Sequence, residues 1–297
     1  MRVISWNINS VRARSSRLLE LLNRHDPDIV CLQETKTKDR YFPISELSAV
    51  GYTAILNGQE SYNGVAILIR SPPKQHNLYT HILPQTQKTG KTDQVYYKPT
   101  DIYSNFPANP VPSEARLISA NIGGIRVVNV YVINGESRES IKFGLKQVWM
   151  DALGKWIQSL PRTPPLLMVG DFNVAPENCD VWDPEGLQER IHCTREEREW
   201  LIKLKGERLY DILRKTNPNQ KMYTWWPYQR DAFEQDEGLR FDLALGDSQL
   251  VRLTKRVWVD RDERKPDKTK EPPSDHAPVI IDLYNAPTTQ KEVLKRR

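Results

Sequence analysis

The chain has 297 residues, 38% of them apolar, and carries 43 Lys and Arg against 38 Asp and Glu, a net charge of +5. A chain of this length buries about three quarters of the surface it exposes when unfolded, so its fold needs neither a disulfide nor a structural metal. The longest apolar run, Val65 to Ile69, is far too short for a membrane-spanning helix of about 20 residues, and a charge of this size is compatible with a polyanionic partner without specifying one.

Short segments rich in β-branched residues predict strands at 2–8, 28–33, 52–56, 64–70, 116–122, 125–133, 166–171, 239–245 and 277–283. The first begins directly after Met1 with charged Arg2, so no apolar leader is expected. Arg12, Arg14 and Arg17 follow it as a basic cluster suited to a phosphate-facing rim. Amphipathic patterning predicts helices at 15–24, with Leu18, Leu19, Leu21 and Leu22, at 138–159, and at 195–205, with Trp200, Leu201 and Leu204.

The segment 71–115 carries seven prolines among Asn, Thr and Tyr and is expected to be a long ordered excursion rather than an element. Ile122-Gly123-Gly124-Ile125 is a hairpin signal, so part of the sheet is antiparallel. The charged, Pro-rich stretch 260–273 reads as a mobile loop. Residues 1–284 are expected to form one domain and 285–297 a polar tail. So many strands interleaved with helices predict two sheets face to face with helices outside, an α/β sandwich. Cys31, Cys179 and Cys193 have no disulfide or zinc spacing, and there is no Asn-x-Ser/Thr acceptor, which points to a reduced, cytoplasmic protein.

Acidic and amide residues punctuate the ends of the apolar runs: Asn7 and Asn9, Gln33-Glu34, Asp171 and Asn173, Asp242, and Asp275-His276. Singly, each reads as a turn residue. Together they fit a convergent cluster at one rim of a sandwich. Glu34, Asp171 and Asp275, with no basic residue inside the motifs, would repel one another unless a hard divalent cation compensates, and oxygen ligands favour Mg²⁺ or Mn²⁺. His276 follows Asp275 on an extended segment, so the two side chains point to opposite faces. The histidine then needs another carboxylate to orient it, and Asp242, embedded in an apolar run, is the natural partner.

Taken in order, these motifs resemble the exonuclease III family of abasic-site endonucleases. They are Asn7-Ile8-Asn9 with Ser10-Val11-Arg12-Ala13-Arg14, Gln33-Glu34-Thr35, Gly64-Val65-Ala66, Asn129-Val130-Tyr131 with Asn134-Gly135, Gly170-Asp171-Phe172-Asn173, Tyr223-Thr224-Trp225, Gly238-Leu239-Arg240-Phe241-Asp242 and Ser274-Asp275-His276. The resemblance implies a four-layered α/β sandwich of two packed mixed sheets. It also implies hydrolysis of the phosphodiester 5′ to an abasic site in duplex DNA, with 3′-to-5′ exonuclease and 3′-phosphatase action.

By the same resemblance Asn7, Glu34, Asp171, Asn173, Asp275 and His276 surround the metal position. Asp171 activates water, Asn173 positions it, His276 oriented by Asp242 contacts phosphate, and Tyr131 serves near the phosphate or leaving oxygen. Arg12 and Arg14 are expected to meet backbone phosphates, and Trp225 with Trp226 to line a pocket for the base-less sugar. A monomer is expected. Ile133 and Pro227 depart from the usual pattern, at Pro and acidic positions respectively, and put substrate preference rather than chemistry in question. A lipid phosphatase of the same superfamily and a silent DNA-binding module are the competing readings. The second would have lost at least one of Glu34, Asp171, Asn173 or His276, and all four are present.

Overall fold

Twelve strands and six helices make up the regular structure among residues 1–71, 96–218, 220–266 and 271–284, which the computed structural model describes. In chain order the strands are β1 (Arg2–Asn7), β2 (Ile29–Gln33), β3 (Tyr52–Asn57), β4 (Val65–Arg70), β5 (Thr100–Tyr103), β6 (Leu117–Ile122), β7 (Ile125–Tyr131), β8 (Leu166–Asp171), β9 (Tyr210–Asp211), β10 (Asp242–Gly246), β11 (Thr254–Val259) and β12 (Val279–Leu283). The helices are α1 (Ser15–His25), α2 (Ile44–Ala49), α3 (Ile141–Ser159), α4 (Arg195–Lys205), α5 (Ile212–Thr216) and α6 (Ser248–Leu253). None is long and apolar enough to cross a membrane.

The strands form two six-stranded sheets, ordered β11-β12-β1-β2-β4-β3 and β5-β6-β7-β8-β10-β9. Both are mixed, since β1 is parallel to β2 and antiparallel to β12, while β7 is parallel to β8 and antiparallel to β6. Gly123 and Gly124 both take positive φ in the β6–β7 turn, as the hairpin signal requires.

Alternation along the strands feeds three apolar layers. Val3, Ile29 and Cys31 of the first sheet meet Val127, Leu167 and Val169 of the second in the central core. On the outer face of the first sheet, Leu18, Leu21 and Leu22 of α1 cover Ile4, Trp6 and Val30. On the outer face of the second, α3 and α4 bring Trp149, Leu153, Leu201 and Leu204 onto Val128, Val130 and Met168. Each such leucine contributes about 1.5–3 kcal/mol by burial. The result is the expected helix–sheet–sheet–helix sandwich.

Three local expectations change. Within 71–115, Thr100–Tyr103 pairs with β6 as an edge strand, and Phe106 packs at 5.4 Å from Trp149; residues 72–95 lie outside the described residues. In the stretch 260–273, residues Arg261–Arg264 form a helical turn whose Glu263 and Arg264 are buried, because Arg17 of α1 donates to the Glu263 carbonyl at 3.1 Å. Residues 267–270 and the tail 285–297 lie outside the described residues. Finally, β9 and β11 join the sheets as short or polar edge strands.

Register gathers the site. β1 and β2 run parallel and stop together, Asn7 opposite Gln33. β7 and β8 do the same, Tyr131 opposite Asp171, and Asp171 in turn faces Asp242 at the start of β10. Because β12 is antiparallel to β1, the segment Ser274-Asp275-His276 enters at this same rim. Gly170, at φ +140°, allows the close approach just before Asp171, since a Cβ there would collide with the Val130 carbonyl.

Candidate active site

Asn7 is the bridge between the sheets. Its Nδ2 donates to Glu34 Oε1 at 2.7 Å and to Asp171 Oδ2 at 3.0 Å, drawing one carboxylate from each sheet together. Glu34 follows β2 with a left-handed φ of +50°, an uncommon conformation for a glutamate that turns its carboxylate to the rim. Lys36 Nζ lies 2.8 Å from Glu34 Oε2 and 2.6 Å from Asn9 Oδ1, so Glu34 is not without a cation, contrary to the expectation from the motifs. Tyr131 hydrogen-bonds Glu34, and burial together with the carboxylates of Glu34 and Asp171 pushes its phenol well above the ordinary range.

His276 Nδ1 is 2.8 Å from Asp242 Oδ2, the pairing inferred from the apolar surroundings of Asp242, and its Nε2 is 3.7 Å from Asp171 Oδ2. Burial by itself would lower the imidazole pKa, but Asp242 and Asp171 outweigh it and hold it at about 10. Asp171 is pushed up to about 7, first by burial and then by Asp242 and Glu34, with the His276 charge and the Asn173 N–H opposing. A buried carboxyl held so high, beside a second carboxylate, is short of positive charge.

Glu34, Asp171 and His276 each offer a ligand atom within 4.8 Å of the others. The two carboxylates offer oxygen ligands that suit a hard divalent cation, while Asn7, whose Nδ2 faces them and whose Oδ1 accepts from the Asn9 N–H, holds them together.

Asn173 takes φ +51° just past β8. Its N–H donates to Asp171 Oδ1 at 2.8 Å, its Nδ2 to the Val132 carbonyl at 3.0 Å, and its Oδ1 accepts from Asn134 Nδ2 at 3.0 Å. One amide hydrogen stays free for a ligand. Asp275 stands outside the Glu34–Asp171–His276 cluster. Its oxygens accept from Asn9 Nδ2 at 2.9 Å and Trp225 Nε1 at 3.0 Å, and although burial favours the acid form, His276 and these donors hold its pKa below the usual carboxylate range.

Two predicted DNA contacts are corrected. Arg14 is 6% exposed and donates to the Asn9 carbonyl, to Tyr228 Oη at 3.1 Å and to the Pro273 carbonyl at 3.2 Å, so it braces the Asn9 turn instead of facing phosphate. Arg12 is exposed, beside Arg40 in a shallow depression. Trp226 is fully buried among Tyr223, Phe233 and Ala277, because neighbours on an extended segment face opposite sides.

Trp225 faces the other way. It stacks on Phe241 at 5.1 Å and lines a cavity of about 680 Å³ with Trp182, Leu187, Arg190, His192 and Leu239. Pro227 joins this lining, whereas Ile133 is core. His192, missed from sequence as a lone loop histidine, packs at 4.8 Å from Phe241, and its Nδ1 bonds the Asn173 carbonyl at 2.7 Å. Asn134 and Lys36 were also missed as site residues, although one lies inside a motif and the other directly beside one, whereas Asn9, expected in the rim cluster, is there.

A sandwich with this rim chemistry defines a class. The pattern of the endonuclease/exonuclease/phosphatase family matches residues 4–276, and the chain belongs to that family. Within it the chain is of the exonuclease III type. It is 30% identical to exodeoxyribonuclease III of Haemophilus influenzae over 94% of this chain and 98% of that one. Among solved structures it resembles the 3′ phosphatase NExo from Neisseria bound to a product DNA hairpin, with a TM-score of 0.83 and 34% identity over 95% and 99% of the two chains. It also resembles an AP endonuclease from Archaeoglobus fulgidus, with a TM-score of 0.81 and 30% identity over 95% and 99%.

Proposed function

We propose that this protein is a DNA repair nuclease that hydrolyses the phosphodiester 5′ to abasic sites in duplex DNA and also removes 3′-terminal phosphates and nucleotides. The observation that carries this reading is the Asn7-bridged pair Glu34 and Asp171 facing a His276 that Asp242 holds protonated. The likeness to the Neisseria 3′ phosphatase supports the action at 3′ ends.

Glu34 and Asp171, drawn together by Asn7, would hold Mg²⁺ or Mn²⁺, which would supply charge neutralisation at the phosphate. The remaining steps belong to the chain. The Asp171 carboxylate takes the proton of the attacking water, and the free amide hydrogen of Asn173 orients the nonbridging oxygen. Water adds to phosphorus in line as the bond to the 3′-oxygen breaks. His276 Nε2–H donates to the oxygens where charge builds, while Asp242 keeps its tautomer and direction. Tyr131, kept protonated by burial and the neighbouring carboxylates, lies beside Glu34, where its O–H would hydrogen-bond the leaving oxygen while that oxygen takes its proton from water. All these residues come from one chain, so a monomer suffices, and three free cysteines fit the cytoplasm.

The test uses two substrates, a duplex with one abasic analogue and a nicked duplex with a 3′-phosphate, each with Mg²⁺ and with excess chelator. Both products are expected with Mg²⁺ and neither with chelator. Turnover that survives chelation overturns the metal assignment, and an intact abasic strand beside a processed 3′ end overturns the abasic-site reading.

A further inference from the structure

The carbonyl oxygen of Asn173, as distinct from its side chain, ends a buried charged network. Lys146 projects from α3 and Glu197 from α4; both side chains are 0% exposed, and the ammonium meets Glu197 Oε1. Its other hydrogens reach the Asn173 carbonyl at 2.7 Å and the Asn134 carbonyl at 3.4 Å, so all three donors are used. Glu197 is itself fixed by the capping box of α4. Its Oε2 accepts from Thr194 Oγ1 at 2.8 Å, and its N–H donates back to that hydroxyl at 3.1 Å.

Stability does not account for such a pair, since replacing two desolvated charges by apolar groups of similar volume is commonly neutral or stabilising. What distinguishes it is where it ends. Asn173 sits in the left-handed region, which asparagine tolerates readily, so the direction of its amide is set by its bonded partners. Apart from the one free amide hydrogen, the polar atoms of Asn173 are bonded, and the charge-assisted bond from Lys146 to its carbonyl is the strong kind. We propose that Lys146, held by Glu197, is a positioning residue that clamps the Asn173 carbonyl and thereby aims the Asn173 amide at the reacting phosphate; this rests on the assignment of Asn173 to the reaction.

The experiment compares Lys146→Met, the double variant Lys146→Met/Glu197→Leu and Asn173→Ala in the full chain, with the abasic duplex and Mg²⁺. Lys146→Met strands the Glu197 charge and should melt well below wild type, whereas the double variant should melt near it. The double variant should still lose at least about tenfold in kcat, with KM within about twofold, because one transition-state donor is misaimed rather than removed. The ¹⁵N side-chain amide signal of Asn173, assigned by its loss in Asn173→Ala, should shift in the double variant. A double variant with wild-type melting, kcat and amide signal overturns the proposal and makes the pair purely structural. Should it fail to fold, Lys146→Met assayed below its melting temperature removes the clamp alone, and an unchanged kcat there overturns the proposal equally. If Asn173→Ala keeps wild-type kcat, the assignment of Asn173 fails first and the clamp falls with it.

Discussion

His276 and His192 lie on two sides of the same turn, Asp171-Phe172-Asn173, and are held in opposite protonation states. His276 touches Asp242 and faces Asp171, and these carboxylates overcome burial to hold it near pKa 10. His192 touches a neutral carbonyl and feels the Lys146 ammonium, so burial and that charge push it down to about 3. Burial alone would have made both neutral. The companions of each ring decide. The anionic side can therefore present a fixed positive donor to phosphate, while the cationic side keeps a neutral ring as wall and brace.

The largest effect comes from breaking the anionic side. Asp242→Asn and His276→Asn should each lower kcat by at least about 10²-fold, and the double variant by little more, because residues acting as one unit are non-additive. Single-turnover cleavage of the abasic duplex measures all three. Losses that multiply would show that Asp242 and His276 act separately.

That pair was legible in the sequence because an Asp inside Gly238-Leu239-Arg240-Phe241-Asp242-Leu243 has no reason to be there unless something buried needs it. The sandwich was legible for a similar reason: inner strands such as Val65–Arg70 carry their burial in their composition. Thr100–Tyr103 carries no such mark, since all four residues are exposed at a sheet edge. Arg14 and Lys146 were misread or missed because a long basic side chain looks the same in sequence whether it reaches solvent or a buried carbonyl. His192 was hidden because its partner is a main-chain atom 19 residues away.

The second test sharpens the comparison through pH. His276, raised in the folded state, contributes stability that is complete below pH 6.5 and is lost as pH rises through about 10. His192, lowered, costs nothing above pH 6.5 and destabilises as pH falls from 6.5 toward 3, because only the unfolded chain then binds the proton. The cost is at most about 1.4 kcal/mol per pH unit, and less where water in the cavity reaches the ring. Urea unfolding of the metal-free protein between pH 7 and 4 should therefore fall less steeply for His192→Gln than for wild type. Identical slopes would mean that His192 protonates freely in the fold.

Trp225 joins the two sides, and its replacement should have the smallest effect. Its Nε1 bonds Asp275, one residue before His276, while its ring stacks on Phe241, which packs against His192. An extruded base-less sugar costs less than an extruded nucleotide, so an apolar wall too close for a base selects by sterics as well as by energy. Trp225→Ala should lower the ratio of abasic to intact-duplex cleavage by about three- to tenfold, the value of one aromatic contact. Melting should drop little, because the indole is only partly buried. Trp225→Phe keeps the stack and loses the bond to Asp275, so it should retain most of the selectivity. If the Phe variant is as unselective as Ala, the hydrogen bond to Asp275 governs the choice, and selectivity belongs to the anionic side. If Ala melts far lower with an unchanged ratio, Trp225 is a packing residue and the wall is made by Leu239 and His192.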